Sequence, residues 1–272
     1  MAPGLILVGT SGFSYEDWRG PFYPADLPAR DMLTYYSRHF PVVELDFTYY
    51  RMPSPRTMAQ IERKTGPGFT FCVKAYREMT HERPQDPSEL RSLCRQFASA
   101  LKPVIDAGKL GCVLVQFPWS FGPAPANRAL VEGLPELLPD FPLVVEFRNN
   151  QWISEDTRQA LTRAGLGFCA VDEPRLKGLM PPITWVTAPV TYVRFHGRNT
   201  QKWWKHEHAW ERYDYLYSEE ELKSWVPRIR NMAVQAERTY VLFNNCHAGQ
   251  AAKNASMMQL LLTMDLPGPP PP

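Results

Sequence analysis

The polypeptide has 272 residues, of which 44% are hydrophobic, and a formal net charge of +2 at pH 7. This length allows one large domain or two small ones, and the composition is that of a globular protein with a sizeable core. The small net charge does not favour a nucleic-acid or membrane partner by bulk electrostatics, although it leaves room for a local charged patch. The sequence shows neither a signal-peptide pattern nor an apolar stretch long enough to span a bilayer.

The cysteines are spread along the chain without a Cys-x-x-Cys pair. They are Cys72, Cys94, Cys112, Cys169 and Cys246. Most of them fall in or at the end of predicted strands, where small buried side chains are common. We therefore expect free thiols in a reducing cytoplasm, rather than disulfides or a metal site.

Short apolar or alternating segments predict β-strands, and stretches with helical periodicity separate them. The predicted strands are Leu5–Gly9, Val42–Tyr50, Phe69–Ala75, Gly111–Phe117, Leu143–Phe147, Phe168–Asp172, Val190–Phe195 and Tyr240–Asn244. The predicted helices are Arg30–Phe40, Pro55–Lys64, Pro87–Gly108, Ala126–Leu138, Ser154–Gly165, Ser218–Ala236 and Ala251–Met264. Ser54-Pro55, Asp86-Pro87 and the capping box Ser218–Glu221 support three helix starts. The Pro-rich segment after strand six is expected to lack a full helix.

Strands that alternate with helices form a parallel sheet. Eight such units in about 250 residues favour an α/β fold with one (β/α)₈ TIM-type barrel, spanning residues 1–266. An open doubly wound sheet is the alternative. It would carry a glycine-rich dinucleotide fingerprint, and Gly9–Gly12 lacks the third glycine and the following helix. The Pro-rich end, 267–272, is expected to be a disordered tail.

The segment Val42–Tyr50 places carboxylates where a barrel would bury them. Its apolar side chains alternate with Glu44, Asp46 and Thr48, so the polar face is predicted to point into the barrel. Buried carboxylates need charged partners or a chemical role. This segment therefore predicts a functional site inside the barrel.

Polar side chains also occur at the ends of the other predicted strands. They are Lys74, Gln116, Glu146, Arg148, Asp172, Arg194, His196 and Asn244, with Arg198 just beyond. Active sites of TIM barrels lie at this C-terminal rim. Ser11, Tyr15 and Trp18, after strand one, are further candidates for substrate binding because the adjacent glycines allow a close approach of backbone to a ligand.

Several of these side chains also have a purely structural interpretation. Glu44 or Glu146 could pair with Arg148 or Arg194 simply to fill the barrel. His196 fits a hydrogen-bonded core residue as well as a proton-transfer group. The pattern alone leaves both interpretations open.

Two further residues have alternative roles. Lys74 suits an anion-binding group, or a partner for Glu44 or Asp46, better than a Schiff-base lysine. Asp172 could only cap the turn that follows its strand. Neither residue is assigned a catalytic role from the sequence.

A loop of about twenty residues after strand seven is long by ordinary standards. Its aromatic side chains are Trp203, Trp204, Trp210, Tyr213, Tyr215 and Tyr217. Arg198, Lys202 and Lys205 are interleaved with two of the tryptophans, which suits an anionic ligand that also stacks. We expect a lid over the site, and a packed surface loop is the alternative.

These motifs span the chain and together resemble the domain-of-unknown-function seventy-two (YecE-like) family. They are Gly9–Gly12 with Tyr15 and Trp18, Val43–Tyr50, Phe71–Lys74 with Thr80-His81, Gln116–Pro118, Val145–Arg148 with Trp152, Arg194–Arg198, Arg212–Tyr215, and Phe243–Asn245 with Asn254. One departure is Asp46, where the family pattern usually has Asn. The resemblance implies a TIM-type barrel but no established activity. Barrels of this shape look like the endonuclease IV and xylose isomerase group, an analogy of fold alone.

We predict first a hydrolase or isomerase that acts on a phosphorylated or sugar-like substrate. Glu44 and Glu146 would be acid and base, and His196 would shuttle the proton. Lys74, Arg148, Arg194 and Arg198 would bind an anionic ligand that Asn244 orients. Gln116 and His196 occupy the strand-four and strand-seven ends where retaining barrel glycosidases carry carboxylates, which weakens a glycosidase assignment.

Two alternatives belong to other classes. A metal-dependent phosphodiesterase resembling endonuclease IV would hold a divalent ion, and a single ion on Glu44, Glu146, Asp172 or His196 is the most that the sequence supports. A non-catalytic nucleic-acid-binding protein would use the Arg198–Lys205 segment as a basic stacking platform. The sequence identifies neither the cofactor nor the oligomeric state.

Overall fold

Eight parallel strands close into a barrel in the computed structural model, which describes residues 3–264. They are β1 (Leu5–Ser11), β2 (Val42–Leu45), β3 (Thr70–Lys74), β4 (Leu110–Gln116), β5 (Leu143–Glu146), β6 (Gly167–Asp172), β7 (Val190–Phe195) and β8 (Arg238–Phe243). Each strand pairs with the next along the chain, and β8 pairs with β1. The predicted (β/α)₈ barrel is therefore confirmed, and the open-sheet alternative is wrong. The expected barrel end at 266 and the tail at 267–272 lie outside the described residues.

Helices cover the outside of the barrel. They are α1 (Met32–Tyr36), α2 (Phe47–Tyr50), α3 (Pro55–Glu62), α4 (Pro87–Asp106), α5 (Pro125–Glu132), α6 (Leu134–Leu137), α7 (Glu155–Arg163), α8 (Glu219–Lys223), α9 (Val226–Gln235) and α10 (Gln250–Met264). The predicted caps are present: Ser54 Oγ accepts from Thr57 N, and Ser218 and Glu221 form a capping box at α8. Single 3₁₀ turns occur at Glu16–Trp18, Ala29–Asp31, Arg77–Met79, Asn150–Trp152, Ala209–Tyr213 and His247–Gly249.

The predicted strand Val42–Tyr50 is wrong beyond Leu45. Asp46 adopts helical backbone angles and begins α2, so the alternation of faces stops there. The Thr48 hydroxyl is buried, 2.8 Å from the Leu45 carbonyl and 2.6 Å from the Lys74 carbonyl, to which it donates. Thr48 therefore ties α2 to β3, and its predicted contact with substrate is not supported.

Two predicted helices are each divided in two. The segment Ala126–Leu138 breaks at Gly133, ahead of Pro135, and the segment Ser218–Ala236 breaks at Ser224–Trp225, ahead of Pro227. Proline lacks a backbone N–H, so neither proline can donate the hydrogen bond that would continue the preceding helix. The chain between β6 and β7 has no helix within the described residues, as predicted.

The strands separate an apolar outer face from a mixed interior. The outer-face side chains that pack against the helices are fully buried and include Val43, Leu45, Phe147, Val193 and Phe195. Inside the barrel, Cys72, Cys112, Tyr192 and Tyr240 are buried below the polar strand ends. All the cysteines are free thiols, as predicted. Between residues 3 and 264, no helix is long and apolar enough to cross a membrane.

Candidate active site

A cleft with two adjoining lobes opens at the C-terminal ends of the strands. The first, the Asp46 lobe, has a volume of about 290 Å³ and is lined by Tyr15, Asp46, Trp210, Asn244, Cys246 and His247. The second, the cation lobe, has a volume of about 280 Å³ and is lined by His81, Gln116, Trp119, Arg148, Trp204 and Arg212, among others. Tyr50, Lys74 and Tyr213 line both lobes.

Three larger depressions lie outside this cleft, and the one of about 500 Å³ lies between Phe22, Leu216 and Lys253. One of about 720 Å³ is lined mainly by apolar side chains around Ile6, Val234 and Leu262, at the opposite end of the barrel. Another of about 460 Å³ lies between α4 and α5. Active sites of this fold lie at the C-terminal rim, and the rim cleft is where the titratable side chains converge.

Directly below the cleft, Arg194 joins two carboxylates that are fully buried. Its Nη1 donates to Glu146 Oε2 at 2.8 Å, and its Nη2 donates to Glu44 Oε1. The Tyr192 hydroxyl donates to the second oxygen of Glu44 at 2.7 Å, and Ser11 Oγ lies 3.4 Å from Arg194 Nη2. We call Glu44, Glu146, Arg194, Tyr192 and His196 the Arg194 network. Its charged side chains pair with one another inside the barrel. This agrees with the structural interpretation of the sequence, in which Glu44 or Glu146 pairs with Arg148 or Arg194.

Arg148 connects this network to a carboxylate that the sequence analysis did not consider. Its Nε lies 2.6 Å from Glu146 Oε1, and its Nη1 donates to Glu173 Oε2 at 2.9 Å. Burial alone would raise the pKa of Glu146, but Arg194, Arg148 and His196 hold it well below its usual range. For Glu173, burial prevails over the attraction of Arg148 and raises the pKa to about 7. Glu146 is therefore a fixed anion, and Glu173 can exchange a proton near neutral pH.

The hydrogen bonds of His196 define its tautomer. Asn244 Nδ2 donates to His196 Nδ1 at 3.1 Å, so the proton of the neutral ring lies on Nε2, which donates to Glu146 Oε1 at 3.1 Å. Burial lowers the pKa of His196 well below its usual range, and the charges of Arg148 and Arg194 lower it further. The ring is neutral and both nitrogens are occupied, so His196 fixes Glu146 and Asn244 relative to each other.

Asp46 is the carboxylate that reaches the cleft. Its side chain is 21% exposed, and its Oδ1 lies 3.9 Å from Lys74 Nζ and 3.8 Å from an Arg194 nitrogen. Burial and the neighbouring Glu44 raise the pKa of Asp46 to about 7, against the opposing effect of Lys74 and Arg194. Asp46 can therefore both accept and donate a proton at neutral pH.

Lys74 stands between the two lobes with few partners of its own. Its Nζ lies 4.6 Å from the centre of the Tyr49 ring and makes no hydrogen bond to any residue between 3 and 264. The side chain is 14% exposed. A partly buried ammonium without a hydrogen-bond acceptor has the chemistry that binding an anion requires.

The loop after β3 adds His81 to the cation lobe. Gln116 Nε2 donates to the Phe117 carbonyl at 2.8 Å and lies 3.5 Å from His81 Nε2, while His81 Nδ1 lies 2.9 Å from Thr80 Oγ1. Burial lowers the pKa of His81 to about 4, and Lys74, Arg148 and Arg83 add to this effect. His81 is thus a neutral polar group in a positively charged environment.

Asp172 and Arg198 belong to a separate network. The Arg198 guanidinium donates to both oxygens of Asp172 at 2.7 Å, and Trp225 Nε1 and the Tyr217 hydroxyl also donate to this carboxylate, at 2.7 and 2.9 Å. Arg198 donates to Glu221 as well, at 2.9 Å. This Asp172 network fastens the loop after β7 to the barrel. Arg198 does not line the cleft, so its predicted contact with an anionic ligand is not supported.

The predicted residues after β1 differ in position. Tyr15 lines the Asp46 lobe, and its hydroxyl donates to the Ser11 carbonyl at 2.8 Å. Gly12 has a φ of +81°, and a side chain there would collide with the Tyr15 ring. Trp18 is fully buried and donates to the Cys246 carbonyl at 2.6 Å. Trp18 therefore supports the wall of the cleft, while Tyr15 forms it.

Aromatic side chains of the loop after β7 line the rim cleft, and most of the cations in the loop are directed to partners within the protein. Trp210 lines one lobe, Trp204 the other, and Tyr213 both. Trp203 is buried, and Lys202 pairs with Glu211 at 2.6 Å. Because Arg198 and Lys202 are paired within the protein, Lys205 is the one cation of the Arg198–Lys205 segment without an ion pair among the described residues, and the segment offers little free charge to a nucleic acid.

The four candidate metal ligands do not converge. Glu44 and Glu146 are held on either side of Arg194, and Asp172 lies in its own network. In the described part of the chain, the one group of three His, Cys, Asp or Glu side chains with ligand atoms within 4.8 Å is Glu207, His208 and Glu211, which is mostly exposed. The four side chains that the sequence left open as metal ligands therefore do not form one donor set.

Several residues of the cleft and its support were not among the site residues predicted from the sequence. Glu173 lies one residue beyond β6, and Tyr192 shares the face of Arg194 two positions away, so alternation along β7 could have identified the tyrosine. His81, His247 and Trp119 lie in loops. Loop residues follow no periodicity, so only the fold reveals their contacts.

Comparison with known proteins agrees with this architecture. The family described as "Protein of unknown function DUF72" matches residues 7–272. A DUF72 family protein of known crystal structure from Thermotoga maritima is 42% identical, with a TM-score of 0.87 over 95% of this chain and 99% of that chain. One from Enterococcus faecalis is 28% identical, with a TM-score of 0.84 over 97% of each chain. UPF0759 protein YunF of Bacillus subtilis is 34% identical over 97% of each chain. The chain therefore belongs to the DUF72 family.

Proposed function

We propose that the protein is an enzyme that performs acid/base chemistry in the rim cleft, with Asp46 as the proton-transfer group. The observation that carries the proposal is the position of this carboxylate, which lines the cleft and titrates near neutral pH. A general acid or base works best when its pKa lies near the working pH. Perturbed carboxylates in clefts are characteristic of active sites.

Asp46 takes the role that the sequence analysis gave to Glu44 and Glu146. Both glutamates are fully buried and hydrogen-bonded to Arg194, below the cleft. Glu44 contributes indirectly, because its negative charge raises the pKa of Asp46. This arrangement resembles other pairs of nearby carboxylates whose environments separate their pKa values.

The other polar groups of the Asp46 lobe suit substrate orientation. Asn244 lines the lobe and is held by His196, and Lys74 reaches both lobes. In the proposed step, ionised Asp46 takes a proton from a substrate C–H or O–H, or from an attacking water, and becomes neutral. It then returns that proton to the product or leaving group, so that its charge is restored. Lys74 would stabilise negative charge that develops on a substrate oxygen.

We infer a small, polar, anionic or sugar-like substrate. Each lobe is slightly under 300 Å³, so together they suit a small metabolite. Aromatic side chains surround cationic ones in the cation lobe, a combination that suits rings carrying negative charge. Hydrolase and isomerase chemistry both need this type of proton transfer.

Two measurements test the proposal. Carboxylate-resolved NMR titration of the free protein should find a group with a pKa of about 7 that Asp46→Asn removes. Incubation of the protein with a panel of aldose and ketose phosphates in D₂O should reveal turnover or solvent exchange of a substrate C–H that Asp46→Asn abolishes. Asp106→Asn, an exposed change on α4, is the control.

Retained turnover in Asp46→Asn, or an Asp46 pKa in the ordinary aspartate range, would overturn the assignment.

A further inference from the structure

We propose that the cation lobe binds the phosphate group of a phosphorylated ring compound and that Trp204 and Trp119 contact the ring. The inference rests on the proposed function in treating both lobes as one substrate site, and it adds the substrate class. It assigns a binding role to Arg212, His81, Trp119 and Trp204, none of which the strand-end pattern identified.

The lining of the cation lobe contains three cationic side chains and no carboxylate. The cations are Lys74, Arg148 and Arg212. Glu146 and Glu173 neutralise Arg148 from behind, outside the lining. Lys74 has only Asp46 within ion-pair distance, at 3.9 Å, and Arg212 has no carboxylate within 4.0 Å among residues 3–264. The lobe therefore has an uncompensated positive charge.

Arg212 and Lys74 are held in place by contacts that leave some of their N–H groups without an acceptor among the described residues. Arg212 Nε donates to the Trp203 carbonyl at 3.0 Å, and its guanidinium lies 5.6 and 6.0 Å from the centres of the Trp203 and Tyr213 rings. These contacts leave the terminal nitrogens without an acceptor in the described part of the chain. Lys74 Nζ likewise stands over the Tyr49 ring. Preorganised cations with free donors suit a dianionic phosphate, which accepts from several donors at once.

The pKa of the neighbouring His81 reflects the same excess of positive charge. After burial, the largest effects that lower its pKa to about 4 come from Lys74, Arg148 and Arg83. An anion bound among these cations would oppose that effect and raise the pKa of His81. His81 is thus an internal probe of occupancy.

Beside the cations, the lobe carries an exposed aromatic wall. Trp204 is 50% exposed and Trp119 is 47% exposed, and their rings meet edge to face with centroids 5.7 Å apart. Trp119 is fixed by a hydrogen bond from its Nε1 to the Gly178 carbonyl at 3.1 Å. Rigid exposed tryptophans next to cations are suited to cover the face of a sugar or a base. Lys74 and Tyr213 line both lobes, so a ligand ring against these tryptophans would lie next to the Asp46 lobe.

The test is direct binding, which does not depend on turnover. Inorganic phosphate, ribose, ribose 5-phosphate and adenosine 5′-monophosphate are titrated by calorimetry at about pH 8, where the phosphates are dianionic. We expect ribose 5-phosphate to bind at least about tenfold more tightly than ribose. Lys74→Met and Arg212→Gln should each weaken all three phosphates by about tenfold or more. Lys74→Arg should restore most of the binding.

The control variants separate this inference from its alternatives. Lys102→Gln removes an exposed positive charge on α4 and should leave binding unchanged. Trp204→Leu should weaken the two phosphorylated ring compounds by several-fold and leave inorganic phosphate unaffected. Comparison of ribose 5-phosphate with adenosine 5′-monophosphate distinguishes a sugar phosphate from a nucleotide as the source of the phosphate. Binding should also raise the pKa of His81 in an NMR titration.

Phosphates that bind no better than ribose would overturn the inference, as would an equal loss of binding in Lys102→Gln. Asp46→Asn should retain binding even where it abolishes turnover. If the proposed function is wrong, Asp46→Asn will leave turnover or the carboxylate NMR titration unchanged. If this inference is wrong, the wild-type protein will not bind the phosphates.

Discussion

The Arg194 network and the cleft above it both contain carboxylates and cations. These charges are paired and buried in the network, but only partly paired and partly exposed in the cleft. In the network, Glu44 and Glu146 receive hydrogen bonds from Arg194 and are excluded from solvent. In the cleft, Asp46 and Lys74 are partly exposed and their charged atoms are 3.9 Å apart. Complete pairing fixes the ionisation state of a buried charge, whereas incomplete pairing leaves it free to titrate or to bind a ligand.

This difference separates charges that hold the barrel together from charges that can do chemistry. The low pKa of Glu146 keeps it ionised throughout the physiological range, so it transfers no proton at neutral pH. Asp46 differs because Glu44 lies beside it and its nearest cations are too distant to compensate fully for burial. Measurements of stability and of metal binding test this difference between the paired charges of the network and the partly paired charges of the cleft, from the largest expected effect to the smallest.

Arg194→Met should destabilise the protein most. It leaves the two glutamates of the network buried without their shared cation, a loss of about 3–5 kcal/mol in the free energy of unfolding. The measurement is urea unfolding at neutral pH. Arg158→Met, which removes an exposed pair with Glu155 on α7, should cost less than about 1 kcal/mol. Similar losses in the two variants would contradict the structural role of the network.

Asp172→Asn should have the next largest effect. Its carboxylate accepts from Arg198, Tyr217 and Trp225, and the amide would retain only part of this set. We expect a loss of about 2–3 kcal/mol in urea unfolding, with faster proteolysis of the loop after β7. Asp106→Asn, on the exposed face of α4, is the matched change. If Asp172→Asn were as stable as that control, this network would not anchor the loop.

The pH dependence of stability should distinguish Asp46 from the network. Its folded pKa of about 7 lies above the ordinary aspartate value near 3.9, so the folded state holds the proton more tightly. Stability from this group is therefore fully present below about pH 4 and is lost as the pH rises towards 7. Glu173, with a pKa of about 7, contributes in the same direction.

Asp46→Asn should remove the part of this pH-dependent loss of stability that Asp46 contributes. Between about pH 5 and pH 8 we expect the wild type to lose about 2 kcal/mol more stability than the variant, measured by urea unfolding across the pH range. Glu173→Gln is the companion variant and should remove the part of the loss that Glu173 contributes. Parallel pH profiles for Asp46→Asn and the wild type would show that Asp46 is already ionised in the folded protein at acid pH.

Divalent metals should have the smallest effect. Because Arg194 occupies the space between Glu44 and Glu146, we expect Mn²⁺ and Zn²⁺ to change the melting temperature by less than about 1 °C. A larger rise that Glu44→Gln abolishes would restore the metal-dependent phosphodiesterase as the better assignment. It would also show that the network opens to admit an ion.

The sequence by itself determined the barrel and the strand-end positions of much of the site. Alternation along a strand depends on backbone geometry alone, so Glu146 and Arg194 could be assigned to the barrel interior before their partners were known. Parallel strands end at one rim, which brought Asp46, Lys74 and Asn244 together in the prediction. These inferences succeed because they rest on local periodicity and on the closure of a regular sheet.

Only the tertiary structure decided which of these residues face a ligand. Arg194 reaches Glu44, 150 positions away, while Arg198 turns outward to Asp172, although Arg194 lies in β7 and Arg198 just beyond its end. The end of β2 at Leu45 likewise depends on the hydrogen bond from Thr48 to the Lys74 carbonyl. Such choices depend on pairings between distant strands and loops, where burial and available partners determine the free energy and sequence spacing carries no information.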